Sequence, residues 1–287
     1  MTTPYRTLVF GQNGQMARAL AAIPGLDIIS LGRDEADLTD PIACARHIEQ
    51  TDASLIINAA AYTNVDGAES DQETAELVNA TTPTAMARAA AARNLPFVSI
   101  STDYVFDGSG DNARAPDATI QPLGVYGATK ARGEQGICAA GGLCGVIRTS
   151  WVFSAQGANF VKTMLSLGQT RDALTVIDDQ IGGPTEARDL ANASVALAIA
   201  LAEGRAVPGI YHFAGAPNVS WAGFAREIFT QAGLTTTVSS ISTDEYPARP
   251  AKRPLNSRLD CTSFTEATGM ERPDWRVSLA RVLNELN

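Results

Sequence analysis

Short apolar runs alternate with stretches of helical spacing through the first half of the chain, and this rhythm restricts the fold more than any other feature. Residues 7–10, 27–31, 55–58, 97–101 and 145–148 are apolar and β-branched, short enough for strands and too short for helices. Between them lie segments with helical patterning at 15–22, 41–50, 73–93 and 125–140. Continuous rather than alternating apolar character implies strands buried on both faces. The chain is therefore predicted to be an α/β protein with a doubly wound parallel, Rossmann-type sheet. Beyond residue 150 the rhythm loosens. Helices are expected at 158–168, 187–202 and 221–232, strands at 174–177 and 210–213, and loop over 246–260. The predicted division is a dinucleotide-binding domain over 1–150 and a mainly substrate-binding lobe over 151–287. Some of the later segments are expected to return to the main sheet.

Composition narrows the partners. A formal net charge of −9 disfavours nucleic acid and anionic membrane as ligands. Cys44, Cys138, Cys144 and Cys261 contain no CxxC pair, and His47 and His212 are far apart, so no zinc site and no metal-ligating residue is expected from them. Neither a signal-like apolar segment near the start nor a long membrane-spanning run is visible, which points to a cytoplasmic protein without membrane contact.

The first strand runs into Gly11-Gln-Asn-Gly14-Gln15-Met16-Ala17. Gly11 allows a tight turn, and Gly14 leaves room for a pyrophosphate at a helix start. Ala17 is small enough for the helix to pack closely on the sheet. The spacing is GxxGxxA rather than GxGxxG, so an ordinary strand-to-helix turn is the competing reading. Arg33, at the end of the second strand, is placed to meet a ribose 2′-phosphate, although Asp34 follows it. NADPH is therefore the favoured cofactor, with NADH also compatible. Asp37 and Leu38 could border an adenine pocket. The small residues of Asn58-Ala-Ala-Ala61-Tyr62-Thr63 would let a ribose and nicotinamide lie against the backbone, or would serve helix-to-sheet packing.

Tyr126 and Lys130 stand four apart on a predicted helix and so share a face. A phenol is a poor acid at neutral pH, and a neighbouring cation favours its phenolate and makes it a better proton donor. The same lysine can bind the cofactor ribose. Thr102, at the end of the fourth strand, can hydrogen-bond a substrate oxygen that gains charge as hydride arrives. An exposed tyrosine beside a solvated lysine gives the same YxxxK spacing. The order of glycine turn, small-residue strand end, Ser-Thr-Asp strand end and YxxxK is what favours catalysis.

Together, GQNGQMA at 11–17, NAAAYTNVDGAE at 58–69, STDYVFDG at 101–108, YGATK at 126–130, RTSWVF at 148–153 and RPLNSRLD at 253–260 resemble the dTDP-4-dehydrorhamnose reductase family of extended short-chain dehydrogenases. The resemblance implies NAD(P)H-dependent reduction of the 4-keto group of a dTDP-sugar, dTDP-4-dehydro-L-rhamnose, to dTDP-L-rhamnose. It implies Tyr126 as proton donor, Lys130 as its cofactor-binding partner and Thr102 as the residue tuning them. Gly14, Gln15, Met16, Asp37, Leu38, Ala61, Tyr62 and Thr63 fall on cofactor positions, and Thr102, Asp103 and Trp151 on sugar-nucleotide positions. Trp151 could pack on the sugar or sit in the core. Some relatives are Mg2+-linked homodimers, but one acidic position of that arrangement corresponds to Ala19 here, so metal and dimer are both open. Arg249, Lys252, Arg253 and Arg258 form a basic segment that could clamp a diphosphate, with Arg253 and Arg258 the leading candidates, or could be a solvated loop. Another nucleotide-sugar ketoreductase or epimerase, and a non-catalytic regulatory homologue, remain as alternatives.

Overall fold

The computed structural model describes residues 5–286. Strands β1 (Arg6–Phe10), β2 (Asp27–Leu31), β3 (Leu55–Asn58), β4 (Phe97–Thr102) and β5 (Cys144–Thr149) join the strand Gly209–His212 in one six-stranded sheet. Its order is Gly209–His212, β5, β4, β3, β1, β2, and every pairing is parallel. From β1 the chain winds outward to β2, then returns to the other side of β1 as β3. Crevices outside the strand ends at such a reversal are where open α/β sheets bind ligands.

Successive residues of β1 explain why both faces are covered. Val9 joins a core with Leu20, Leu197 and Leu201, beneath the helices Gln15–Ala21 and Ala187–Ala202. Leu8 and Phe10 point the other way, into a core with Ile48, Met86 and Ile137 from the helices Pro41–Gln50, Thr82–Ala92 and Val125–Ala140. A third core of Phe153, Val161, Phe224, Ile228, Trp275 and Leu279 belongs to a smaller lobe. Helices Phe160–Gly168, Trp221–Ala232 and Trp275–Leu286 build that lobe with a parallel pair, Ala173–Ile177 and Thr237–Ile241. Between these segments, Ala187–Ala202 and Gly209–His212 lie on the main sheet, so the chain passes from one layer set to the other more than once.

Three local departures from the sequence expectation have physical reasons. The helix expected over 73–93 is divided into Gln72–Glu76, a π turn Leu77–Thr81 and Thr82–Ala92. Pro83 has no N–H, and its ring would strike the carbonyl four residues back, at Asn79; the widened turn accommodates it. The 246–260 loop contains a short strand, Asn256–Ser257, which pairs with Ile181–Gly182. Two residues are too few to leave a periodic signal. The strand Thr237–Ile241 and the helices Thr262–Thr268 and Trp275–Leu286 were not expected.

The helix Val125–Ala140 lies unusually close to its neighbours. A Cβ at Gly133 would stand 2.1 Å from the Asn79 carbonyl oxygen, and one at Gly127 would stand 2.1 Å from that of Tyr104. Glycine is otherwise a poor helix former, so close approach is what these positions require. Gly133→Ala is therefore expected to destabilise the protein by about 1–3 kcal/mol in urea unfolding, through overpacking. An open helical site would instead gain up to about 1 kcal/mol from the same change, so the sign of the shift decides.

Candidate active site

A cleft of about 1060 Å³ runs along the C-terminal strand ends, from the glycine turn after β1 to the smaller lobe. Gly11, Gly14, Gln15, Met16, Arg33, Asp37, Leu38, Ala61, Tyr62, Thr63, Thr102, Asp103, Tyr126, Lys130 and Trp151 all line it. Arg253 and Arg258 do not. The Arg253 fork is filled by Asp66, at 3.1 and 2.8 Å, and Arg258 turns to Asn256 Oδ1 at 3.0 Å.

At one end, Gly11 holds a φ of +118°, and its N–H donates to the Leu31 carbonyl at 2.9 Å. Gly14 precedes the helix Gln15–Ala21 without a side-chain cap, and a Cβ placed there would meet nothing within 4 Å. The first helical N–H groups therefore carry no side-chain cap. Gln15 crosses to the smaller lobe, where its Oε1 accepts from Ser154 at 2.8 Å and Asn159 at 3.0 Å. Met16 and Leu38 are buried walls. The Arg33 side chain is 77% exposed, and its ion-pair partner among the described residues is Asp37 at 3.5 Å, so most of its guanidinium faces solvent. A hydrogen bond from the Thr39 N–H holds the Asp37 carboxyl below its usual range.

Asn79 fixes the next wall. Its amide accepts from the Tyr62 N–H at 2.9 Å and donates to the Tyr62 carbonyl at 3.1 Å and to Thr129 at 3.2 Å. The π turn aims this side chain, so the Ala61-Tyr62-Thr63 backbone is held by a residue that an unbroken helix would have placed differently. The break was detectable only in Pro83.

The reactive groups gather where β4 ends. Tyr126 lies edge-on to Tyr104, with ring centroids 5.5 Å apart. Desolvation pushes its phenol up to about 12; a hydrogen bond with Thr102 opposes this, and the Asp103 charge adds to it. Burial brings Lys130 down to about 8, opposed by the charge of Glu134, and its ammonium donates to the Ile100 carbonyl at 2.6 Å. The Thr102 hydroxyl accepts from the Tyr104 N–H and donates to Asp103 Oδ1, both at 3.2 Å. Burial pushes Asp103 up to about 6, and its Oδ2 has no partner among the described residues. The site thus offers a phenol that keeps its proton at neutral pH, a hydroxyl beside it and an ammonium one helical turn away. Such a set can deliver a proton to an oxygen gaining negative charge.

At the lobe end Trp151 has a φ of +51°, which a bulky residue rarely adopts. Its indole stacks on Trp221, with centroids 3.6 Å apart and planes inclined by 12°. Trp221 also lines the cleft, yet in sequence it read only as the start of a helix. Glu134, one turn beyond Lys130, likewise carried no signal of its own. No group of three or more His, Cys, Asp or Glu among the described residues is arranged to hold a metal. No helix among them is long and apolar enough to cross a membrane.

A doubly wound parallel sheet with Thr102, Tyr126 and Lys130 converging at its strand ends defines an extended short-chain dehydrogenase. Within that class the chain belongs to the dTDP-4-dehydrorhamnose reductase family, as its motifs suggested. The RmlD substrate binding domain family matches residues 5–287. A dTDP-4-dehydrorhamnose reductase from Sinorhizobium fredii is 39% identical over 286 residues, covering 97% of this chain and 96% of that protein. The crystal structure of a dTDP-4-dehydrorhamnose reductase from Clostridium acetobutylicum superposes with a TM-score of 0.91 at 33% identity, covering 98% of this chain and 99% of the other. A Bacillus anthracis dTDP-4-dehydrorhamnose reductase, solved in complex with NADP, also gives 0.91, at 31% identity and 99% and 100% coverage.

Proposed function

We propose that this chain reduces the 4-keto group of dTDP-4-dehydro-L-rhamnose to give dTDP-L-rhamnose, using a nicotinamide cofactor. One observation carries the reading: Tyr126, Lys130 and Thr102 share a single cleft with the glycine turn, in a chain that matches reductases of this name over nearly its whole length. The open space above Gly14 and the exposed Arg33 guanidinium fit a dinucleotide with a 2′-phosphate, so NADPH is the proposed form. On this reading residues 1–150 hold the cofactor and residues from the 151–287 half close over the sugar nucleotide.

When bound, the cofactor supplies a hydride to the carbonyl carbon. Gly11, Gly14 and the N–H groups after Gly14 would seat its diphosphate, and Ala61, Tyr62 and Thr63 its ribose and nicotinamide. Thr102 and Tyr126 would hydrogen-bond the 4-keto oxygen, orienting it and stabilising the charge that develops there. The Tyr126 phenol then gives its proton to that oxygen, and the resulting negative charge on the phenol is met by Lys130. Trp151 and Asp103 would contact the sugar nucleotide.

The reading is tested by following NADPH absorbance on addition of dTDP-4-dehydro-L-rhamnose, with UDP-linked 4-keto sugars as comparison. Oxidation with the dTDP-sugar is expected, and its absence would remove the substrate assignment. Tyr126→Phe should lower kcat by orders of magnitude while leaving NADPH affinity within a few-fold. For Arg33→Ala, titration of cofactor fluorescence should show NADPH binding weakened about tenfold or more and NADH binding little changed. Equal loss for both cofactors would place the 2′-phosphate elsewhere.

A further inference from the structure

Tyr126, Lys130 and Glu134 are spaced four apart, so they form one row along the helix Val125–Ala140. Each meets a consecutive part of the β4 end. Tyr126 shares the cleft with Thr102, whose hydroxyl favours the phenolate, Lys130 donates to the Ile100 carbonyl at 2.6 Å, and Glu134 Oε1 accepts from the Ser101 hydroxyl at 2.5 Å. Glu134 is 2% exposed. Arg148 on β5, fully buried, grips both its oxygens at 2.9 and 2.7 Å. Arg148 is itself fixed from behind. Its Nη1 donates to the Pro116 carbonyl at 2.9 Å, and its guanidinium lies 4.9 Å from the Phe106 ring centroid.

We propose that Glu134 is a positioning residue for the reaction: anchored by Arg148 and Ser101, it holds Lys130 in its charged form against the end of β4. The proposal rests on the reductase reading for its catalytic meaning, and for its electrostatic meaning on the placement of Glu134 one helical turn from Lys130 with both side chains buried. Lys130 is 5% exposed, so water does little to stabilise its ammonium, and the Ile100 carbonyl supplies only a dipole. A formal negative charge nearby favours the ammonium, and Glu134, one helical turn along, supplies one, its effect reduced by the Arg148 cation paired with it.

The other charged or titratable groups on the surrounding elements are committed elsewhere or ill-suited to this role. On the strands and the turn after β4, His212 is held neutral, brought down to about 3 by burial and by Arg148. Asp103 and Tyr104 lie on the side of Tyr126, whose phenol Asp103 pushes up. On the helices packed alongside, Glu76 is taken by Arg132, Asp66 by Arg253, and Glu69 by the Val125 N–H. Arg88, on Thr82–Ala92, is exposed, and Tyr62 and Asp71 lie on the cofactor-loop side.

The sign of the effect follows. A carboxylate favours the charged lysine, so its removal lets Lys130 lose its proton at lower pH. Glu134→Gln should move the alkaline limb of kcat/KM toward acid by about one pH unit, with KM for the sugar nucleotide at about pH 6.5 nearly unchanged. Because the single change strands Arg148 as an unpaired buried cation, Glu134→Gln/Arg148→Met is the companion variant. Its limb should move in the same direction.

An activity-free measurement accompanies this. The chain has three lysines, Lys130, Lys162 and Lys252. Titration of [13C]lysine-labelled protein by NMR, with Lys162→Arg and Lys252→Arg for assignment, reads Lys130 directly. A Lys130 titration displaced to lower pH in both variants supports the proposal. A folded variant whose Lys130 titrates as in the parent overturns it, whether or not the parent reduces the keto sugar. Failure of the parent in the NADPH assay alone would instead overturn the reductase reading.

Discussion

The Arg148–Glu134 ion pair is the tie on which the arrangement of the site depends. Both residues are almost wholly removed from water, and the pair spans from β5 to the helix that carries Tyr126 and Lys130. Burying such a pair contributes little net stability, because desolvation offsets the attraction, whereas removing one partner costs about 3–5 kcal/mol. Its use here is register. A helix can slide along or rotate on an apolar sheet at modest cost, but it cannot do so without parting these charges in a dry interior. One residue of rotation is about 100°, enough to swing Tyr126 out of the cleft. Gly127 and Gly133 let the same helix settle against the Tyr104 and Asn79 carbonyls, since a side chain at either would strike backbone.

With the helix so fixed, opposite environments act on the two groups one turn apart. Desolvation raises the Tyr126 phenol and lowers the Lys130 ammonium, because burial disfavours whichever form is charged. The phenol therefore keeps its proton at neutral pH, which suits a donor. Glu134 opposes the lowering that burial imposes on the lysine, which suits a partner that must meet a phenolate. Thr102 acts on the phenol, favouring the phenolate against the desolvation that resists it.

Much of the sheet and the reactive row was legible in the sequence, for a common reason: both are written in local spacing. Five apolar runs placed β1 to β5 because fully buried parallel strands leave continuous apolar segments. Tyr126 and Lys130 were legible because four-residue spacing on a helix fixes a shared face. The rest depends on contacts distant in sequence. Asn79 reaches Tyr62 across 17 positions from a π turn that resembles helix. Trp221 meets Trp151 only because the lobe folds back on itself. Arg253 and Arg258 illustrate the opposite limit. A basic cluster in sequence says nothing of its partners, and here the Arg253 fork closes on Asp66.

Trp151 shows what that folding back accomplishes. A bulky residue at positive φ costs about 1–3 kcal/mol and persists only where its surroundings require it. Here Trp221 stacks on the indole, and Gly182 leaves space against it: a Cβ on that glycine would come within 2.8 Å of Trp151 Cε2. Gly182 belongs to a small sheet with Ser220 and Ser257, so three separate stretches of the second half of the chain set the pose of one side chain. The strain places an indole at the lobe end of the cleft, away from the β4 end where Thr102, Tyr126 and Lys130 gather. The sheet edge thus fixes one end of the cleft, and the lobe supplies an aromatic wall at the other.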